Sequence, residues 1–487
     1  MKNIAITHST YIYFDYIDPD ALLQKPKDTD KRLENLKEIG FEYDSKNALH
    51  FNANTFGRYM SGCIKCVHDQ NGDLYIYNRK GFYEAADDWK LSKLIKFMLN
   101  QTQDLWSLYY EKSGLAAYKR DLVKIVKEFN KDNVINLANT IMDLSNMQTR
   151  SHSPEIYSTI QLPMNFDPDA DCPRFLQFME ETTKGDAELQ FVLQEILGYC
   201  LTCENRAEKA FFFYGGGSNG KSVLGEVIKG LVGFENTSGV SLNELGQRFG
   251  ISPMIGKSVN ISAENELSGE VNSENLKAII SGDELSIDIK HKDPWQGALT
   301  CKLILLMNTL PKTSDITYGF FRKIMIIPFE NTVLPDQIDN HLLDKLLKEL
   351  PGVLNWALQG LQRLRENQYR FSHSSAVEKI MQTYSVDQNP TGQFFLDTYE
   401  YCEGAQIRKS EIYRDYVNWC ADDARDCPKL QKLWNMLKIK AEEMNRLPDA
   451  SMHIQLEYKK IHGIDYLKNY RKKEIVEDNH SSEVIIP

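Results

Sequence analysis

The segment Gly215-Gly-Gly-Ser-Asn-Gly-Lys-Ser222 constrains this chain more than any other. It fits the pattern G-x-x-x-x-G-K-[ST], in which backbone N–H groups and a lysine surround phosphates. Short patterns recur by chance, so the flanks decide. Ala210-Phe-Phe-Phe-Tyr214 before the loop reads as a buried strand, and Val223, Leu224, Val227, Ile228 and Leu231 after it mark one face of a helix. Strand, glycine loop and helix N-terminus in that order aim several N–H donors and a positive dipole end at a bound anion. The expected fold is α/β around a P-loop, with ATP and Mg²⁺ as cofactors. Gly215, Gly216, Gly217, Ser218, Asn219, Gly220, Lys221 and Ser222 are the expected cradle, with Lys221 against the β- and γ-phosphates and Ser222 on the metal.

A phosphate loop binds nucleotide but needs further groups to cleave it. Val259-Asn-Ile-Ser-Ala263 is a strand pattern that ends in Glu264-Asn-Glu266. Carboxylates at a strand end beside the loop strand sit at the ligand-binding edge of a parallel sheet. Glu264 is the first choice for the metal site and for polarising the attacking water, and Glu266 the second. Lys302-Leu-Ile-Leu-Leu-Met-Asn308 is an apolar strand closing on an amide, and Asn308 can bond water or the γ-phosphate without adding charge. Gly319-Phe-Phe-Arg322-Lys323 precedes another buried run, Ile324 to Phe329, and the Arg322 guanidinium can serve as an arginine finger on a neighbouring copy. An ordinary surface arginine is the alternative.

The chain has 487 residues, too many for one ordinary core. Composition shifts suggest a mixed α/β N-terminal domain over 1–100, a helical region over 101–205, the motor over 206–365 and a C-terminal domain over 376–487. Trp89 to Met147 is expected to be helical, with Leu137, Ile141 and Leu144 on one face; Ser151–Pro173 is a connector, and Glu366–Ser375 a polar hinge. No stretch reaches membrane-spanning length, and the N-terminus lacks the apolar core of a secretory signal, so the cytoplasm is the expected compartment. The nine cysteines include Cys63/Cys66 and Cys200/Cys203, which read as ordinary thiols in different domains and not as a shared zinc site. Formal net charge is −11, yet Lys429 to Lys473 holds eleven Lys/Arg against five Asp/Glu. Nucleic acid responds to a local patch of that kind and not to the total. Helices over Lys409–Cys420 and Lys429–Glu443, followed by strands over Ile454–Tyr458 and Ile464–Tyr470, fit a winged helix. Lys429, Lys432, Lys438 and Lys440 on its helix and Lys459, Lys460, Lys468 and Arg471 on its wing would meet duplex DNA.

The ordered set GGGSNGKS, SAENE (262–266), LKAIISGDELS (276–286), LLMNTLP (305–311) and FRKIMIIPF (321–329) resembles the superfamily 3 helicases, specifically the poxvirus- and phage/plasmid-type primase–helicases. The resemblance implies a homo-hexameric, AAA+-like ring that threads one DNA strand. It also implies a DNA-contacting hairpin between the acidic and amide strands. Here Leu285, Ile287 and Ile289 alternate up to Lys290-His291-Lys292, and Trp295 to Leu299 forms the returning arm. The chain departs from the family at the second motif, where Ala263 and Asn265 flank Glu264 in place of paired acids, and at Arg322-Lys323, where relatives often carry two arginines. Residues ahead of the helical region are too few for the primase domain of many relatives, which implies a separate primase or polymerase. A C-terminal domain that recognises a replication origin would make the protein an initiator for a mobile genetic element, such as a phage satellite or pathogenicity island. Two other functions fit the same loop: an origin-binding ATPase that does not unwind, and a P-loop motor acting on protein.

Overall fold

A computed structural model describes residues 11–23, 28–264, 273–313, 315–334, 336, 338–422, 427–445 and 454–473. Its centre is a five-stranded, all-parallel sheet. Across it run a short edge strand (Thr237–Ser238), the acid strand (Val259–Glu264), the amide strand (Lys302–Met307), the loop strand (Ala210–Tyr214) and the arginine strand (Ile324–Pro328). Parallel strands are covered on both faces, which explains the apolar runs of the loop, amide and arginine strands, while the buried Asn260 of the acid strand is satisfied by the Val240 backbone. Side chains alternate between the faces. Phe211, Phe213, Ile261, Ile304 and Ile327 join Leu224, Val227, Ile228 and Leu231 of the helix Lys221–Val232, together with the helices Ala187–Cys200 and Leu350–Glu366. Phe212, Leu303, Leu305, Met307 and Ile326 face the opposite layer, built from Leu276, Ile279, Phe320 and Tyr384. The chain is thus a mixed α/β protein organised on a parallel sheet.

Ahead of this sheet, a separate core gathers Ile17, Phe41, Phe56, Ile76 and Leu94. Helices Ala53–Cys63, Asp88–Gln103 and Leu108–Asp121 surround it, next to an antiparallel arrangement of Cys66–Asp69, Leu74–Asn78 and Phe82–Ala86. The helical expectation fails after residue 121. Val134–Asn136, Ile141–Asp143 and Gln148–Arg150 form an antiparallel sheet, so the segment 101–205 is not helical throughout. Leu137, Ile141 and Leu144 mimic a helical repeat. Asn139-Thr140 and the left-handed Met147 (φ 58) turn the chain instead. Cys63 and Cys66 belong to this N-terminal core and Cys200 to the core around the parallel sheet.

The hinge expected at 366–375 is also corrected. Arg365 and Tyr369 bond Glu204, and Ser372 donates its N–H to the buried Glu195 at 2.8 Å. Phe371 packs edge-on against Tyr199 and Phe211. Tyr369, Phe371 and Ser372 thus fix this segment against the body of the parallel-sheet unit. Beyond it, Phe394, Phe395, Tyr416, Leu433 and Leu467 form a further core. It joins the helices Thr391–Thr398, Lys409–Asp422 and Leu430–Met444 to a three-stranded sheet ordered Tyr399–Arg408, Ile464–Lys472, Tyr458–Ile461. Among the described residues no helix is long and apolar enough to cross a membrane.

Candidate functional site

The loop 215–220 connects the end of the loop strand to the helix Lys221–Val232. Gly220 adopts φ 86, a left-handed conformation that suits glycine, and a Cβ there would also press on Thr182 Oγ1 at 3.1 Å. Gly215 lies so close to the chain leaving the arginine strand that a Cβ would sit 2.2 Å from the Phe329 carbonyl oxygen. Gly216 and Gly217, by contrast, face open space. No side chain caps the helix that follows, so its first N–H groups remain available. Asn219 is buried and donates to the carbonyl oxygens of Gly216 and Phe329, at 2.5 and 3.0 Å. Val333 N–H donates to Ser218 O at 2.8 Å, bracing the loop from the same side. Lys221 is 5% exposed and donates from Nζ to Gly215 O (2.6 Å), Gly216 O (3.0 Å) and Asn219 Oδ1 (3.0 Å). Burial pushes its pKa down. Ser222, the next residue, is exposed.

Strand register assembles the rest of this edge. Glu264 pairs with Met307, and Met307 pairs with Tyr214, so the ends of the acid, amide and loop strands lie in one row. Gly215 N–H donates to Met307 O at 3.2 Å, which places the exposed Asn308 one residue from an atom touching the loop. Glu264 closes its strand in the same row, and Glu266 lies outside the described residues.

Arg322 lies elsewhere. It precedes Ile324, which pairs with Ala210 at the start of the loop strand, whereas Pro328 pairs with Tyr214 beside the loop. Arg322 is therefore at the far end of the sheet from its own glycine loop, a strand length of about 13 Å away. There it joins Glu208, Lys209 and Lys323. Glu208 Oε2 accepts from Lys323 Nζ at 2.8 Å and pairs with Arg322 at 3.8 Å. Lys209 donates to Arg322 O at 2.5 Å, and its pKa falls to about 8 through burial and through the charges of Arg322 and Lys323. Two cations, Arg322 and Lys323, share the Glu208 carboxylate, and Lys209 stands beside them. The Arg322 side chain is half exposed, and such a surface pair contributes roughly 0–1 kcal/mol. Arg322 is therefore free to change partners.

The hairpin pairs Glu284–Ile287 with Trp295–Ala298. Lys290, His291 and Lys292 are all exposed at its tip, and His291 has φ 61. Lys290 lies over the Phe249 ring at 5.8 Å, and Asp288 pairs with Arg248 at 2.7 Å. In the C-terminal unit, Lys432, Lys438, Lys459 and Lys460 are exposed. Lys440 is not available in the same way. It turns inward, donating to Ser385 Oγ at 3.2 Å, because the small Gly392 leaves room for its stem. Neighbouring cations are likewise committed: Lys468 to Glu457, Arg471 to Glu400 and Lys472 to Asp415.

Two family models match parts of the chain. Residues 53–184 match the family described as D5 N terminal like, and residues 213–322 match a family of unknown function (DUF5906). The second match runs from the loop strand to Arg322. A helicase-named protein of Acanthamoeba polyphaga mimivirus is 24% identical over 256 residues, covering 50% of this chain and 26% of its own length. One from Invertebrate iridescent virus 6 is 23% identical over 345 residues, covering 59% and 34%. The chain is similar to viral proteins named as helicases. It spans about a quarter to a third of their length. Among solved structures, the apo C-terminal region of NrS-1 aligns over 83% of this chain and 96% of its own, at 15% identity and a TM-score of 0.49.

Glu208 and Lys209 were not singled out in the sequence, and Lys323 entered only as the residue beside Arg322. Lys209 lies 113 residues from Arg322, and only the parallel pairing of Ala210 with Ile324 brings the two together. Their one sequence signal is that each flanks the start of a buried strand.

Proposed function

We propose that the chain is an ATP-hydrolysing DNA motor of the superfamily 3 helicase kind that works as a homo-hexameric ring. One observation carries the reading: the phosphate loop, Glu264 and Asn308 share one edge of a parallel sheet, while Arg322 lies at the other. An arginine a strand length from its own loop can reach a nucleotide on a neighbouring copy, in the head-to-tail contact that closes a ring. The sheet order, with the loop strand between the amide and arginine strands, supports an AAA+-like motor.

The loop suits a triphosphate. Gly216 and Gly217 leave room for it, the uncapped helix offers N–H donors, and Lys221 is held by dipoles alone, so a phosphate anion would favour its charged form. ATP with Mg²⁺ would supply the cleavable phosphoanhydride. Ser222 and Glu264 would hold the metal, Glu264 would orient water, and Asn308 would bond water or phosphate. Arg322, with Lys209 beside it, would stabilise charge on the neighbour's phosphates. Lys290, His291 and Lys292 would grip the threaded single strand through its phosphates. The C-terminal unit, read as a winged helix, would bind double-stranded origin DNA through Lys432, Lys438, Lys459 and Lys460. A separate primase or polymerase would complete replication, and the origin would belong to a mobile genetic element.

ATP turnover with and without single-stranded DNA tests this reading. Stimulation that Lys221→Ala abolishes is expected. Turnover indifferent to DNA would favour a motor acting on protein, and stimulated turnover without strand displacement would favour an origin-binding ATPase.

A further inference from the structure

A groove of about 580 Å³ separates the N-terminal domain from the tip of the basic hairpin. Lys292 forms the hairpin side, while the first turns of the helix Asp88–Gln103, with Tyr16 and Tyr75, form the other. The two sides are tied together by Gln70, which donates to Gln296 O at 3.3 Å. Trp89 sits in this groove with 66% of its surface exposed. An indole left in water is unusual when a core lies directly behind its helix. Lys93, one turn further on, stands 3.2 Å above the indole, and Lys96 stands 4.4 Å above Trp106, which is itself 40% exposed. Trp89, Lys93 and Lys96 share one face of this helix, and Trp106, beyond the helix end at Gln103, packs under Lys96. That combination suits unpaired nucleic acid, whose bases stack on rings while its phosphates meet cations.

The charges around the groove are close to balanced. Lys90 is bonded to Glu84 at 2.9 Å and lies over Tyr16, Asp87 caps the helix through the Lys90 N–H, and Asp73 faces from the sheet. Lys93 and Lys292 remain as the cations for an incoming strand. Stacking must therefore supply most of the hold, and a duplex hides the base faces that stacking needs. We propose that this groove docks unpaired bases of single-stranded DNA, with Trp89 as stacking anchor, and delivers the strand to the hairpin at Lys290–Lys292. The proposal rests on the DNA reading of that hairpin and extends the path to a domain outside the motor.

The test uses the full chain without nucleotide, and fluorescence anisotropy of labelled oligo-dT and of an abasic strand of equal length. Trp89→Ala should weaken oligo-dT binding by about 5- to 150-fold, the range for one lost base stack, and leave abasic binding unchanged. Lys93→Ala should lower the salt slope by about 0.7, and Lys290→Ala with Lys292→Ala should weaken both strands alike. Because Trp89 is mostly exposed, its removal should leave the melting curve in place. Unchanged oligo-dT affinity in Trp89→Ala overturns the groove, even if the hairpin variant keeps its effect. A smaller assembly mass with unchanged strand affinity would assign Trp89 to a contact between copies, and also overturns it. Loss of oligo-dT binding in Trp89→Ala alongside a wild type that hydrolyses no ATP would instead sink the motor reading and leave the groove standing.

Discussion

Replacing Arg322 by Ala tests whether the two ends of the sheet belong to different active sites. Ile324 to Pro328 spans about 13 Å of strand, and Arg322 lies beyond the far end, so the guanidinium has no route to the glycine loop of its own chain. Its only ion partner among the described contacts is Glu208 at 3.8 Å, an exposed pair worth roughly 0–1 kcal/mol, so the fold should tolerate the change. ATP affinity should stay close to wild type, while turnover should fall about 10³–10⁵-fold, the range for a lost arginine finger. Lys221→Ala should be equally inactive for a different reason. In an equal mixture, a working interface joins an Arg322→Ala copy, whose loop lysine is intact, to a Lys221→Ala neighbour, whose arginine is intact. Random mixing provides that pairing at roughly one interface in four, so turnover should recover to about a quarter of wild type. The assay is steady-state phosphate release, with native mass spectrometry to verify mixed assemblies. No recovery in proven mixed rings, or loss of ATP binding in Arg322→Ala alone, would refute the reasoning.

Glu264→Gln should still bind ATP and stall its hydrolysis; if Glu266→Gln does so instead, the second carboxylate is the working one. Lys209 offers a pH test. Its folded pKa of about 8 lies below the ordinary 10.5, so at neutral pH the folded state is penalised for carrying that charge. Between those values the unfolded chain holds a proton the folded chain has released, so stability rises with pH. Lys209→Met should therefore be more stable than wild type at pH 7 in urea titrations, with the gap closing as pH rises past 8 towards 10.5; a gap independent of pH would argue against the shifted lysine. Replacing Lys432, Lys438, Lys459 and Lys460 by Ala should remove preference for origin over random duplex at fixed salt and spare DNA-independent ATP turnover. Retained preference would move recognition elsewhere.

Features with strong local periodicity were legible in the sequence. The loop strand occupies Ala210–Tyr214, where its aromatic run predicts it, and the hairpin arms Glu284–Ile287 and Trp295–Ala298 follow their alternation. Weakly patterned strands were not. Tyr399–Arg408 is largely solvent-facing, with a register shift between Tyr401 and Gln406, so its apolar residues never form a clean alternation. Thr237–Ser238 is two residues long and exists as a strand only because Val259–Asn260 pairs with it. Residues 134–150 misled through a helical spacing that turn residues override. At the candidate site, the loop could be read from consecutive residues, whereas the Glu208–Lys209–Arg322–Lys323 cluster required the parallel register that closes the sheet. Lys440 illustrates the same limit, since its helix position suggests a solvent face that Ser385 and Gly392 remove.

On the proposed reading, ATP turnover at this loop drives separation of DNA strands by a ring. Displacement of a labelled strand from forked DNA, read beside the mass of the assembly, tests it most directly. Wild type should assemble into a ring and displace the strand only with ATP and Mg²⁺, while Lys221→Ala should assemble and bind DNA but displace nothing. Displacement by Lys221→Ala, or a wild-type ring that hydrolyses ATP yet never opens the fork, would contradict the account.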